Sequence, residues 1–187
     1  MDDIAIQKTI DVLVETFTNK NTLFTCGNGG SFADAQHICT ELLKSFKIQR
    51  THSHKIGGDP IYPPNVQAFP AVALGSNQAF LTAMANDVGY DYAFAQELIA
   101  LSKKGDCLLA ISTSGNSKSV CNAAEFAHAR GLKVIALTGR ADCSLHKFAD
   151  IIIRAEQRDT ARIQEVHEPI YHYICEKVEA HFFGGNK

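Results

Sequence analysis

The sequence lacks the features of a membrane, secreted or nucleic-acid-binding protein. No apolar run reaches the roughly 20 residues that a membrane-spanning helix needs. The N-terminal stretch MDDIAIQKTIDVL is acidic and amphipathic, unlike a signal peptide. Lys and Arg are interspersed with acids, there is no basic block, and the formal net charge is -2. We therefore expect a cytoplasmic protein whose partners include neither a membrane nor a nucleic acid.

The sequence also lacks a C-x-x-C pair, so its cysteines predict neither a disulfide framework nor a redox motif. We expect all six to be small, reduced, mostly apolar side chains: Cys26, Cys39, Cys107, Cys121, Cys143 and Cys175. The 187 residues are 45% hydrophobic, enough for one globular domain over residues 1–187 with a full core.

Short apolar segments alternate with helical ones along most of the chain, which predicts an α/β protein with a doubly wound parallel sheet of five strands, a flavodoxin-like three-layer sandwich. The strands are expected at residues 22–26, 71–74, 106–112, 133–139 and 150–154. Residues 47–69 differ, because three prolines and a Gly-Gly pair predict a long loop, a candidate lid over the site.

The first chemical signal is the turn in TCGNGGSFADAQH, which joins the first strand to a helix. Glycines let a ligand approach the backbone, and the first N–H groups of a helix attract anions. Ser31 with Asp34 resembles a capping box. Phe32 stands where a dinucleotide fingerprint needs its third glycine, and no lysine of a P-loop lies near. We therefore expect no nucleotide cofactor.

The second signal is STSGNS, after the third strand, where four hydroxyl groups precede a helix. Such a loop can give a phosphate monoester many hydrogen bonds without a cationic side chain. The alternative is that these residues only cap the helix and fill a turn. Four hydroxyls within six residues favour an anion site, made by Ser112, Thr113, Ser114 and Ser117.

Taken together, the phrases CGNGGSFADAQH, ISTSGNS, VIALTG and RIQEVHEPIYH resemble the phosphoheptose isomerase family of the sugar isomerase (SIS) fold. The resemblance covers nearly the whole chain. It implies a single SIS domain in a homotetramer with active sites at subunit interfaces. It also implies conversion of sedoheptulose 7-phosphate to D-glycero-D-manno-heptose 7-phosphate, the first step of bacterial heptose biosynthesis.

The resemblance further implies roles for individual residues. The catalytic pair falls on Glu41 and His172. The residues implied to bind the sugar phosphate are Asn28, Gly29, Ser31, Asn86, Asp87, Ser112, Thr113, Ser114, Ser117 and Gln164. The residues implied to bind zinc, which some members carry, are His37, Glu41, Gln164 and His172.

The residue types support these roles independently. Aldose–ketose isomerisation moves one proton between adjacent carbons and another between oxygens, so a carboxylate facing an imidazole is suitable. His37 and Glu41 are four residues apart and share one helix face, a spacing that also suits two metal ligands. A solvated or purely structural role is the alternative for any one of them. Pro169 is expected to kink the last helix before His172.

Three other functions remain open at this stage. A non-catalytic SIS regulator that binds the bacterial replication initiator shares the RIQE helix but does not need the acid–base pair. An isomerase of another sugar phosphate, such as arabinose 5-phosphate, usually carries extra domains. The long loop at 47–69 also leaves room for a different phosphorylated ketose.

Overall fold

The computed structural model describes residues 3–50, 55–56, 59–60 and 67–185, the second and third of these ranges by backbone alone. Its helices are α1 (Asp3–Thr18), α2 (Gly30–Leu43), α3 (Gln78–Asp87), α4 (Ala93–Leu101), α5 (Lys118–Arg130) and α6 (Thr160–Phe183). Its strands are β1 (Leu23–Cys26), β2 (Lys55–Ile56), β3 (Asp59–Pro60), β4 (Ala71–Ala73), β5 (Cys107–Ser112), β6 (Lys133–Thr138) and β7 (Ile151–Arg154). Short 3-10 turns span Tyr90–Tyr92 and Ser144–Lys147.

Five strands form one parallel sheet in the order β4-β1-β5-β6-β7, which confirms the predicted class and strand number. The strand order reverses between β1 and β5, where Cys26 lies opposite Ala110. In an open parallel sheet the crevice at such a point, outside the carboxyl ends of the strands, is where ligands bind. Both polar turns found in the sequence begin at this crevice.

Helices cover both faces of the sheet, because its central strands are apolar on both sides. Leu109 and Ile111 of β5 point into a core shared with α1, α2 and α6. Leu108 and Ala110 point the other way, toward α4 and α5. All six residues of β5 are buried, as expected for a strand in the middle layer of a three-layer fold.

Two local predictions are corrected by the structure. The capping box is wrong: Gly29 caps α2 with no side-chain hydrogen bond, and Ser31 is a buried residue within the helix. Carbonyl groups of the turn accept hydrogen bonds from the first amides of α2 instead. Ser31 N donates to Asn28 O, and Phe32 N donates to Gly29 O. The loop at 47–69 contains the antiparallel pair β2 and β3. Most of it lies outside the described residues.

Two features of the helices bear on function. α6 runs without interruption through Pro169 to Phe183. α3 has no buried residue, although it carries Phe80, Leu81 and Met84.

Among the described residues, no helix is long and apolar enough to cross a membrane.

Candidate active site

The turn after β1, residues 27–30, is called the glycine turn here and lies at the crevice between β1 and β5. Gly29 has φ of 57°, which a side chain would strain, and a Cβ on Gly30 would collide with the amide of Gln164. Gln164 comes from α6, so a side chain at position 30 would displace its amide from the turn. The predicted binding residues Gly29 and Gln164 thus lie at one turn.

The loop after β5, residues 113–117, is called the serine loop. Gly115 N donates to Ser112 O and Oγ at 3.0 and 3.1 Å, and Asn116 N donates to Ser114 Oγ at 3.2 Å. Ser117 occupies the N-cap position of α5 but makes no capping hydrogen bond with its side chain. Its hydroxyl is therefore not used for the capping role that was the alternative to anion binding.

Asn28 joins the two turns across the crevice. Its Nδ2 donates to Ser117 Oγ at 2.7 Å and to Ser119 Oγ at 3.0 Å. Its Oδ1 accepts from Tyr90 Oη at 2.5 Å. Sequence reasoning missed Ser119, which lies within α5 just beyond the serine loop, and Tyr90, which lies in the 3-10 turn before α4.

Two arginines, also missed, lie beside the serine loop. Arg140 and Arg158 line a cleft of about 490 Å³ together with Thr113, Ser114, Gln157 and Ile163. Within the described residues Arg158 has no ion pair. Arg140 Nε lies 3.8 Å from Glu156 Oε2. Positive charge thus lies near the hydroxyl groups, in addition to the uncharged donors that the sequence indicated.

The second part of the site lies between α2 and α6. His37 Nε2 is 3.2 Å from Glu41 Oε1 and 3.5 Å from His172 Nε2. Lys44 Nζ donates to Glu41 Oε2 at 2.8 Å. Glu41 is buried at 7% exposure. Its Oε2 is held by Lys44, and its Oε1 faces the imidazole of His37. The structure brings together both predicted catalytic residues and His37.

A buried chain of polar groups orients His37. Its Nδ1 lies 3.0 Å from Tyr171 Oη, which donates to Asp34 Oδ1 at 3.4 Å. Burial raises the pKa of Asp34 and that of Tyr171, so the phenol stays a protonated donor. With its hydrogen given to Asp34, the phenol oxygen accepts from His37 Nδ1–H. In neutral His37 the Nε2 lone pair then faces Glu41 and His172.

Glu168 is the acidic residue that sequence reasoning missed in this region. Ligand atoms of His37, Glu168 and His172 all lie within 4.8 Å of one another and could hold a metal ion. We call His37, Glu41, Glu168 and His172 the His–Glu cluster. Gln164, Glu168 and His172 follow at intervals of four residues along α6, a helical spacing that could have identified Glu168.

A cation or a proton fits this cluster on chemical grounds. His37 Nε2 lies 3.2 Å from a carboxylate oxygen and 3.5 Å from a second imidazole nitrogen, so nitrogen and oxygen ligand atoms converge at one point. Two imidazoles and a carboxylate form a donor set suited to Zn²⁺. The hydrogen bond from His37 to Tyr171 supplies the outer contact that metal-bound histidines usually make.

Among the described residues, the predicted residues Asn86 and Asp87 make no contact with this cluster, and neither does the buried His167 of α6. Asn86 and Asp87 end α3 and are exposed, with Asn86 Nδ2 donating to Asp87 Oδ1 at 2.7 Å. His167 is fully buried, and its Nε2 lies 3.2 Å from Thr138 O. This bond makes Nε2 the protonated nitrogen of His167 and attaches α6 to the end of β6, a structural role.

Comparison with known proteins identifies the family of this chain. The SIS domain family matches residues 2–139. The phosphoheptose isomerase of Shewanella oneidensis is 40% identical over 182 residues, which cover 96% of this chain and 84% of that protein.

Two solved structures are also similar. The phosphoheptose isomerase from Neisseria gonorrhoeae has a TM-score of 0.79 and 34% identity, with 94% of this chain and 85% of that one covered. The enzyme of that name from Francisella tularensis has the same TM-score and identity, with 93% and 84% covered. The SIS fold, the site and these likenesses together show that this chain belongs to the phosphoheptose isomerase family.

Proposed function

We propose that this protein converts sedoheptulose 7-phosphate to D-glycero-D-manno-heptose 7-phosphate, the first step of bacterial heptose biosynthesis. The observation that carries the proposal is the pairing of a hydroxyl-rich anion site with a carboxylate–imidazole cluster. His37 lies seven residues beyond Gly30 on α2, which is about 10 Å of helix rise. A long sugar phosphate has its carbonyl group at the end opposite to its phosphate, so it suits this separation.

The phosphate is assigned to the serine loop, and the sugar to the glycine turn beside it. Ser112, Thr113, Ser114 and Ser117 supply hydroxyls, and the start of α5 supplies backbone N–H groups. Asn28, Gly29, Ser31 and Gln164 are assigned to the sugar, with Asn86 and Asp87 at the exposed end of α3.

Proton transfer is assigned to Glu41 and His172. Glu41 Oε1 removes a proton from C1 of the ketose and returns it to C2, while His172 moves the hydroxyl proton from O1 to O2. The C2=O bond becomes single and the C1–O1 bond becomes double by way of an enediol. No electron is lost to an external acceptor, so the reaction needs no redox cofactor.

A zinc ion is assigned to His37, Glu168 and His172, with Glu41 and Gln164 as the other candidate ligands. When bound, it would polarise the oxygens of the reacting carbons. We expect Glu168→Gln to lower the zinc content of protein purified without chelator by at least about 10-fold, measured by elemental analysis. Glu165→Gln is the matched control, since Glu165 is exposed and paired only with Arg162. Equal zinc in both variants would contradict the assignment.

A homotetramer with active sites at its interfaces is also proposed. It is supported by α3, which leaves Phe80, Leu81 and Met84 outside the core and is followed by Val88, which is 62% exposed. A second copy of this chain would cover these apolar side chains close to Asn86 and Asp87. Light scattering coupled to size exclusion tests the homotetramer, and a monomer at micromolar concentration would contradict it.

We also propose a cytoplasmic location. The proposed substrate carries a phosphate dianion and does not cross membranes unaided, which supports this location.

The test of the function is a substrate panel. Sedoheptulose 7-phosphate should give an aldose product, and arabinose 5-phosphate should not be turned over. If only arabinose 5-phosphate is turned over, it is the substrate and sedoheptulose 7-phosphate is not. Binding of sugar phosphates without any turnover would indicate a regulator instead of an enzyme.

A further inference from the structure

We propose that Tyr90 is a positioning residue that, through Asn28, makes the Ser117 hydroxyl a hydrogen-bond donor to the substrate's phosphate. The proposal rests on the assignment of the serine loop to phosphate and adds a residue outside both turns. Tyr90, Asn28 and Ser117 form a continuous chain of hydrogen bonds across the crevice between β1 and β5.

The direction of each hydrogen bond follows from the groups that make it. Tyr90 Oη has one hydrogen and gives it to Asn28 Oδ1. Asn28 Nδ2 has two hydrogens and gives one to Ser117 Oγ and one to Ser119 Oγ. Both hydrogens of the amide are therefore used, and both serine oxygens act as acceptors toward Asn28.

This direction matters because a phosphate dianion only accepts hydrogen bonds. Ser117 accepts from Asn28 with a lone pair, so its own hydrogen can go to a phosphate oxygen. The competing acceptor for that hydrogen is Ser119 Oγ, 3.4 Å away, and the charged oxygen of a phosphate is the stronger acceptor. If the Asn28 amide were turned by 180°, its carbonyl oxygen would face the serines and attract their hydrogens away from the ligand. The hydrogen of Tyr90 favours the productive orientation, because it meets a protein acceptor only when Asn28 Oδ1 faces the phenol.

Tyr90 is held in place by its surroundings. Its ring packs edge-on against the buried ring of Phe94, with centroids 6.0 Å apart. Asn122 of α5 donates to Asp91 O at 2.9 Å and so attaches the turn to the helix that follows the serine loop. Burial raises the pKa of the Tyr90 phenol, which therefore remains a donor at neutral pH.

The experiment compares Tyr90→Phe with Tyr92→Phe. Tyr92 lies in the same 3-10 turn, is 55% exposed, and its hydroxyl makes no hydrogen bond within the described residues. For Tyr90→Phe we expect KM for sedoheptulose 7-phosphate, and Ki for inorganic phosphate, to rise roughly 3- to 10-fold. The effect on kcat should be smaller than that on KM. Tyr92→Phe should match the wild type.

A double-mutant cycle separates this role from a general loss of packing. In a Ser117→Ala background the hydroxyl to be oriented is gone, so adding Tyr90→Phe should leave Ki for phosphate unchanged. The same loss in both backgrounds, or an unchanged Ki in Tyr90→Phe alone, would overturn the proposal. A wild-type enzyme that turns over sugar phosphate without competition from inorganic phosphate would overturn the serine-loop assignment itself.

Discussion

The phosphate half of the site consists of two turns at the ends of adjacent strands, whereas the proton-transfer half consists of side chains on two helices. Gly29, Gly115 and Ser117 are placed by the backbone of the strand-to-helix turns in which they occur. His37 and His172 are 135 residues apart and meet only because α2 packs against α6. The first half is set by local structure and the second by tertiary packing.

This difference predicts that the two halves fail in different ways. Damage to a turn should weaken phosphate binding. Damage to the helix pair should reduce turnover or, where the packing itself is broken, stability.

The largest effect is expected from Glu41→Gln, which keeps the shape of the side chain but removes the base. We expect kcat to fall about 10²- to 10⁴-fold and Ki for inorganic phosphate to remain that of the wild type. Glu165→Gln on α6 is the control, because that glutamate is exposed. Near-wild-type turnover in Glu41→Gln would remove Glu41 from the mechanism.

The second-largest effect is expected from replacing Arg50, which forms hydrogen bonds with both α2 and α6. Its guanidinium donates to Glu179 Oε1 of α6 at 2.6 Å, and to the carbonyl oxygens of Glu41 and Leu42 at the end of α2 at 2.8 Å. Arg50→Met leaves Glu179 charged and buried without its ion-pair partner, held only by backbone N–H groups. We expect this to cost about 3–5 kcal/mol of unfolding free energy. Chemical denaturation followed by circular dichroism measures this.

Arg162→Met is the matched control, since its pair with Glu165 is exposed to solvent and surface ion pairs contribute little to stability. The pair at Arg50 also predicts a dependence on pH. Burial opposes the charge of Glu179, but hydrogen bonds from Phe46, Lys47 and Arg50 lower its pKa below the ordinary 4.5. Its stabilisation is therefore complete above that pH and is lost as the pH falls through the lowered pKa. If Arg50→Met and Arg162→Met lost the same unfolding free energy at neutral pH, the stabilising role of the buried pair would be contradicted.

A smaller effect is expected from Gly115→Ala in the serine loop. Gly115 has φ of 63°, and a Cβ there would collide with Cys143. The strain of about 1–3 kcal/mol should distort the loop, raising Ki for phosphate more than it lowers kcat. Gly185→Ala is a control without steric contact. An unchanged Ki together with a lowered kcat would show that the two halves are not separable.

The smallest effect is expected from replacing residues 51–64 by a short Gly-Ser linker. Gln67 N donates to Arg50 O at 3.1 Å, so the ends of this segment are already joined and the fold should tolerate the change. If the segment is a lid over the sugar, KM should rise by less than about 10-fold, or 1.4 kcal/mol. Unchanged kcat and KM would leave only a tolerated insertion.

The same contrast explains what the sequence could predict. The strands, the order of turns and the hydroxyl-rich loop were predictable, because each depends on residues close together in the chain. Glu168, Tyr90 and Arg158 were not identified, since their roles depend on which helices and loops meet. The capping box at Ser31 was wrong because the glycine turn satisfies the first amides of α2 with its own carbonyl groups.

The central claim is that Glu41 moves a proton between adjacent carbons of a sugar held by its phosphate. The most direct measurement is NMR of the reaction with sedoheptulose 7-phosphate in D₂O. We expect an aldose heptose 7-phosphate, formed by the wild type and at most at trace level by Glu41→Gln. It carries deuterium at C2 in every turnover in which the proton on Glu41 exchanges with solvent before it is returned. No aldose from a folded wild-type protein that binds phosphate, or deuterated product formed equally fast by Glu41→Gln, would contradict the account.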